Sequence, residues 1–165
     1  MSEQKMLANA NELRALLANA DSRPVPHFLN LKTRLPKAGK FDVPLAATDR
    51  MWVVLKTYAS GGENELHAHP NEDHLFVVMQ GQAEFFGPKD ERRVVGKHEC
   101  VLLPRGTVYS FKAFGDEALV LLRIGTVVDP SDDPIYRVDA SGRKMDGFSA
   151  ENKHTQPILG DHYFE

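Results

Sequence analysis

Cysteine is almost missing from this chain: Cys100 stands alone among 165 residues. No intrachain disulfide can form, and a zinc site built from several cysteines is excluded. Long apolar runs are missing too. The longest, ALVLLRIGTVV at positions 118–128, spans only 11 residues and is broken by Arg123, against about 20 for a membrane helix. Nor is there a marked excess of one charge. The 20 Lys and Arg against 23 Asp and Glu leave a net charge of −3, and the basic residues are scattered, whereas nucleic acid needs clustered cations. The first twenty residues lack the basic end and apolar centre of a secretory signal. No G-x-S-x-G nucleophile elbow exists, and no glycine-rich phosphate loop leads from a strand into a helix. The expectation is a cytoplasmic protein with neither nucleic acid nor a membrane as partner.

What the chain does contain is enough apolar residue for one core, 42% against 26% charged, which fits a single domain. Met6, Ala10, Leu13 and Leu17 recur at helical spacing, so the first twenty residues read as an amphipathic helix, ended by the prolines of DSRPVP. From about residue 28 the period becomes two. Segments 50–59, 74–80, 82–86, 92–95, 100–104, 108–114 and 117–128 are short, rich in β-branched and aromatic residues, and separated by turn residues such as Gly81. Such a series without intervening helices predicts an antiparallel sandwich or barrel. Three parts follow: a helix and linker over 1–27, a barrel over 28–128, and a polar, irregular tail over 129–165. The tail's apolar end, PILGDHYF, is expected to pack on the barrel or on a neighbouring subunit.

The stretch Gly61 to Gly81 carries three histidines. His67 and His69, two apart, share a face of an extended segment. His74 lies across a PNED loop and opens the strand that continues through Phe76 and Val78. A loop returning on itself would bring the three imidazoles together above an apolar floor, the arrangement of neutral donors that a transition metal takes; a solvated hairpin with surface histidines fits the same spacing. Inward positions by alternation are Phe76, Val78, Tyr109, Phe111, Leu119 and Leu121. Arg123 continues that parity, so it either faces in, where it would meet a carboxylate or enolate, or ends the strand facing out. Glu72 and Asp73 read as a solvated turn, with orientation of an imidazole as the other possibility, and Glu65 as a weak acid/base candidate. Cys100 is expected to be a buried, inert thiol, and His98 an exposed turn residue.

With its flanks, Gly61-x5-His67-x-His69-x4-His74-x6-Gly81 resembles the first motif of the cupin superfamily, G-x5-H-x-H followed by three or four residues and E-x6-G. His74 stands where the family has Glu. Downstream, GKHECVLLPRGTVYSFKA resembles the second motif, with Pro104 and Gly106 in place and Tyr109 at the position of the family's histidine; Gly96 sits two residues early and Ala113 replaces Asn. The resemblance covers about residues 50–128. It implies an all-β single antiparallel jelly-roll barrel, here with an N-terminal helix and an irregular C-terminal tail, holding one divalent metal. On this sequence the metal ligands it implies are His67, His69 and His74. Tyr109, given a catalytic place, stands as phenolate ligand, as a hydrogen-bonding neighbour of the metal's water or substrate, or as a core residue. Fe(II) is the favoured metal, with Zn(II), Ni(II) or Mn(II) compatible with the same donors. The implied protein is a homodimeric dioxygenase-like enzyme acting on a small chelating organic substrate. The alternatives are a metal-dependent lyase or isomerase, and a non-catalytic small-molecule sensor or carrier.

Overall fold

A computed structural model describes residues 5–152 and 155–165. One helix, α1 (Ala10–Ala18), precedes twelve strands: β1 (Thr33–Ala38), β2 (Lys40–Ala47), β3 (Met51–Tyr58), β4 (His67–Ala68), β5 (Glu72–Gln80), β6 (Gln82–Phe86), β7 (Arg92–Gly96), β8 (Cys100–Leu103), β9 (Ser110–Phe114), β10 (Leu119–Val127), β11 (Val138–Asp139) and β12 (Ile158–Phe164). All pairings are antiparallel. A five-stranded sheet in the order β2-β3-β10-β5-β8 faces a three-stranded sheet, β7-β6-β9, and two-stranded pairs β1-β12 and β11-β4 flank them. This is a jelly-roll arrangement, as the period-two pattern indicated. No helix among the described residues is long and apolar enough to cross a membrane.

Alternation decides what lies between the two main sheets. Phe76, Val78, Leu119 and Leu121 from the larger sheet meet Ala83, Phe85, Val95 and Phe111 from the smaller one, all buried. Their rings pack edge-on or stacked, Tyr58 and Phe111 with centroids 5.0 Å apart and Phe85 and Phe111 also at 5.0 Å, geometries that add about 0.5–1.5 kcal/mol each beyond area burial. The opposite face of the larger sheet is covered as well. Phe41, Val43, Leu55 and Val120 lie under Leu35, Leu159 and Phe164 of the β1-β12 pair. Residues 119–121 are therefore buried in succession, since a strand covered on both faces has no solvent side.

The structure departs from the sequence reading in four places. Strands β1 and β2 contain Pro36 and Pro44, which interrupt the strand signal; both sit at register shifts, where a missing N–H breaks no ladder bond. The tail is irregular only in part, because its end forms β12 on β1 and so docks on its own barrel. The helix starts later than Met6: Asn9 caps it by accepting the Glu12 N–H at 3.0 Å, and Met6 is exposed, while positions 1–4 of that expectation lie outside the described residues. Cys100 is exposed, because the edge strand β8 turns Cys100 and Leu102 outward and Leu103 inward.

Candidate functional site

The candidate site lies at one end of the space between the sheets. Short strand β4 carries His67, whose backbone pairs with Tyr109 through reciprocal bonds of 3.0 and 2.9 Å. That bridge fixes the separation of the histidine segment from the segment leading into β9. Strand β5 supplies Glu72, His74 and Phe76 on one face, all buried. The rings run in a row: His67 to His69 with centroids 5.1 Å apart, His69 to His74 4.9 Å, and His67 to Tyr109 4.5 Å. Beside them opens a cavity of about 360 Å³, lined by His67, His69, Tyr109 and Arg123 from the barrel. Leu7, Leu13, Ile135, Arg137 and Phe148 from the helix segment and the C-terminal extension close it on the other side.

Each imidazole is fixed differently. His67 Nδ1 donates to the Glu65 carbonyl at 2.6 Å, so Glu65 acts through its backbone. His69 Nδ1 stands 3.3 Å from Glu72 Oε2, close to the carboxylate but not aligned for a hydrogen bond. Both side chains border the cavity, and no hydrogen bond among the described residues engages their Nε2 atoms. His74 is turned away: its Nε2 shares a 3.0 Å hydrogen bond with the Tyr109 hydroxyl and its Nδ1 is buried without a partner. Burial drives the pKa of all three imidazoles down, and the charge of Arg137 or Arg123 adds to it. They are neutral lone-pair donors at physiological pH. Burial pushes the Tyr109 phenol up, so it stays protonated and offers a hydrogen bond rather than a phenolate.

Glu72 is the site residue whose role the sequence reading placed second. It is buried, not in a solvated turn. Arg123 grips both its oxygens, Nη1 to Oε1 at 2.7 Å and Nη2 to Oε2 at 2.6 Å, and the guanidinium lies over the Trp52 ring, Cζ 4.0 Å from its centroid. Burial raises the Glu72 carboxyl against the pull of Arg123; desolvation pulls the Arg123 pKa down, but Glu72, with Tyr109 and Asp42, raises it overall, and Arg123 stays charged. Gly125 makes room for the pair. A Cβ there would fall on Glu72 Oε1. Asp73 performs the turn role instead, accepting the Arg105 N–H at 2.7 Å, and His98 lies exposed in its turn at φ 72°.

A family model described as the cupin domain matches residues 54–125. Over that stretch the barrel matches the cupin domain. The protein is 32% identical over 53 residues to the uncharacterized protein YdbB of Bacillus subtilis (strain 168), a match covering 32% of this chain and 47% of that one; the chain thus spans about half of that relative. Its cupin fold is similar to an uncharacterized conserved protein with a double-stranded β-helix domain from Klebsiella pneumoniae subsp. pneumoniae MGH 78578, at 16% identity, TM-score 0.57, and coverage of 67% and 93% of the two chains. It is also similar to BH2720 from Bacillus halodurans, at 21% identity and TM-score 0.53, covering 66% and 86%. KdgF from Halomonas sp. has 19% identity and TM-score 0.50, covering 54% and 79%. These identities speak for the fold alone.

Within the cupin domain the two altered motif positions, His74 and Tyr109, are hydrogen-bonded to each other. The structure thus brings all four expected site residues together but puts His67, His69 and Tyr109 on the cavity wall, with His74 behind Tyr109. Among the described residues no three His, Cys, Asp or Glu side chains stand grouped to hold one metal ion. As donors His67 and His69 fit a metal, with Nδ1 turned to protein oxygens in the manner that orients metal-binding imidazoles; His74 fits only after giving up its bond to Tyr109. Several wall residues escaped the sequence reading. Lys40, buried and held at a pKa of about 8 by desolvation, gives its Nζ to the Glu63 carbonyl at 3.2 Å. Lys56 pairs with Asp42 at 2.5 Å. Arg137 comes from a stretch without periodicity, where no sequence signal marks it.

Proposed function

We propose that this cupin cavity is a mononuclear metal site acting on a small organic substrate, with His67 and His69 as its first two donors and His74 as the third. The observation that carries this reading is the pair of cavity-facing, neutral imidazoles whose Nδ1 atoms are turned to Glu65 and Glu72. A divalent metal with open positions, Fe(II) in the first instance, would supply the chemistry of binding and activating oxygen or a chelating substrate. The protein's own part is separate. Glu72, locked by Arg123, sets its carboxylate beside the His69 ring; the protonated Tyr109 presents a hydrogen bond to the ligand; Trp52, Phe76 and the aliphatic wall exclude water. The same reading takes the chain as a homodimer, since Phe28, 95% exposed, with Val25 and Leu29 offers an apolar face.

Elemental analysis of the tag-free protein tests it. About one equivalent of a divalent metal in the wild type, largely lost in His67→Ala and His69→Ala and reduced in His74→Ala, is the expected result, followed by O2 uptake with chelating substrates. No metal in the wild type after anaerobic reconstitution with Fe(II), Mn(II), Ni(II) and Zn(II) would overturn it. A second reading, a non-catalytic ligand-binding barrel, is favoured by the 3.0 Å bond that occupies His74; it expects ligand binding without metal.

A further inference from the structure

Several cations around the cavity are matched to carboxylates, and Arg137 is not. Arg123 is gripped by Glu72, Lys56 by Asp42, and Arg14 by Asp133 at 2.8 Å. Arg137 lines the same cavity, and among the described residues no carboxylate hydrogen-bonds it, Asp42 acting on it only through its charge. Its Nε is shielded from solvent and donates to nothing. Gly147 accommodates the guanidinium, because a Cβ there would fall on Arg137 Nη1. Lys40, 8% exposed, stands in the same wall with its Nζ on the Glu63 carbonyl rather than on a carboxylate. Arg137 is half-buried, and a guanidinium held partly out of water without a paired carboxylate gains when an anion completes it.

We infer that the ligand of this cavity is a small organic carboxylate, bound by the Arg137 fork with Lys40 beside it and its apolar body against Leu13, Ile135 and Phe148. A single guanidinium with two donors in one plane matches a carboxylate, and the apolar wall supplied by α1 and the C-terminal extension suits a carbon skeleton rather than a free inorganic ion. The inference deepens the proposed function in taking the same cavity, but does not need the metal. Arg123 is already satisfied by Glu72, so Arg137, from outside the cupin motifs, is the specificity residue.

Chelator-treated protein separates this inference from the metal reading, because ligand binding and metal content are then measured on different samples. Benzoate, hexanoate and succinate would be titrated at constant ionic strength, with benzamide, chloride and inorganic phosphate alongside, following thermal unfolding and the fluorescence of Trp52, the sole tryptophan, which borders the cavity. The expected result is saturable stabilisation by at least one carboxylate, weakened tenfold or more in Arg137→Met, partly kept in Arg137→Lys, and unchanged in the exposed control Arg143→Met. Unfolding of ligand-free Arg137→Met by urea confirms that it is folded before its binding is compared. A wild type that responds to no carboxylate, that responds equally to chloride or benzamide, or that responds more strongly to phosphate overturns the assignment. So does a folded Arg137→Met protein that binds the carboxylate as well as the wild type.

Discussion

The two walls of the cavity differ in how their charges are satisfied. On the barrel side two buried cations are closed on carboxylates within the protein: Arg123 gives two bonds to Glu72, and Lys56 pairs with its cross-strand partner Asp42. On the side contributed by the C-terminal extension, Arg137 lines the cavity with no such partner. The contrast separates architecture from recognition. A paired charge positions neighbouring groups, here His69 and Trp52, whereas an unpaired one beside a cavity is available to something that enters it.

The largest effect expected from breaking this contrast is on the paired side. Glu72→Ala strands the buried Arg123 charge and should cost about 3–5 kcal/mol of stability, read from urea unfolding. Removing both partners in Glu72→Ala/Arg123→Met should cost much less than the two single losses summed, and full additivity would show that the pair does not act as a unit.

Acid comes next. Burial holds the folded pKa of His67, His69 and His74 below the unfolded value near 6.5. The folded form therefore binds fewer protons than the unfolded form in that window. The stability of metal-free protein should be full above pH 6.5 and fall as pH drops, by up to about 1.4 kcal/mol per unit for each imidazole. A melting temperature flat from pH 7 to 5 would contradict the buried, neutral assignment.

Smaller still is the cost of loosening α1 from the cavity wall. Leu13, buried against the cluster that contains Trp52 and Val54, should lose about 2–3 kcal/mol on truncation to Ala, and Trp52 fluorescence should shift toward that of a solvated indole. At the unpaired position the sign of the comparison changes. Arg137→Met should leave ligand-free stability within about 1 kcal/mol of the wild type, because it removes a half-buried charge that no carboxylate hydrogen-bonds. A loss as large as that of Glu72→Ala would show that Arg137 is structural. The smallest effect belongs to the surface. Phe28→Ser should change stability by under about 0.5 kcal/mol while moving the mass measured by light scattering toward the monomer, if the proposed homodimer uses that face.

Much of this site can be read from residue order. Period two places Phe76, Val78, Phe111, Leu119 and Leu121 inside, as found, and the same parity carried on to Arg123 puts it inside as well. Running the alternation of β5 back two residues from His74 reaches Glu72, so that buried carboxylate had a signal that its polar PNED setting masked. Cys100 shows the limit of reading apolar neighbours as burial: an edge strand has a solvent face however apolar its sequence.

Sequence by itself determined the fold class, most of the sheet faces and the meeting of His67, His69, His74 and Tyr109, because strand alternation and the glycine-bounded histidine motif are local properties of the chain. Tertiary structure alone decided which groups are satisfied and which are left open. That Tyr109 occupies His74, that Glu72 and Arg123 close on each other, and that Arg137 enters the cavity unpaired are matters of distance between segments as far apart in sequence as 72 and 123 or 67 and 137. Electrostatic pairing and desolvation depend on those distances, and no local pattern encodes them.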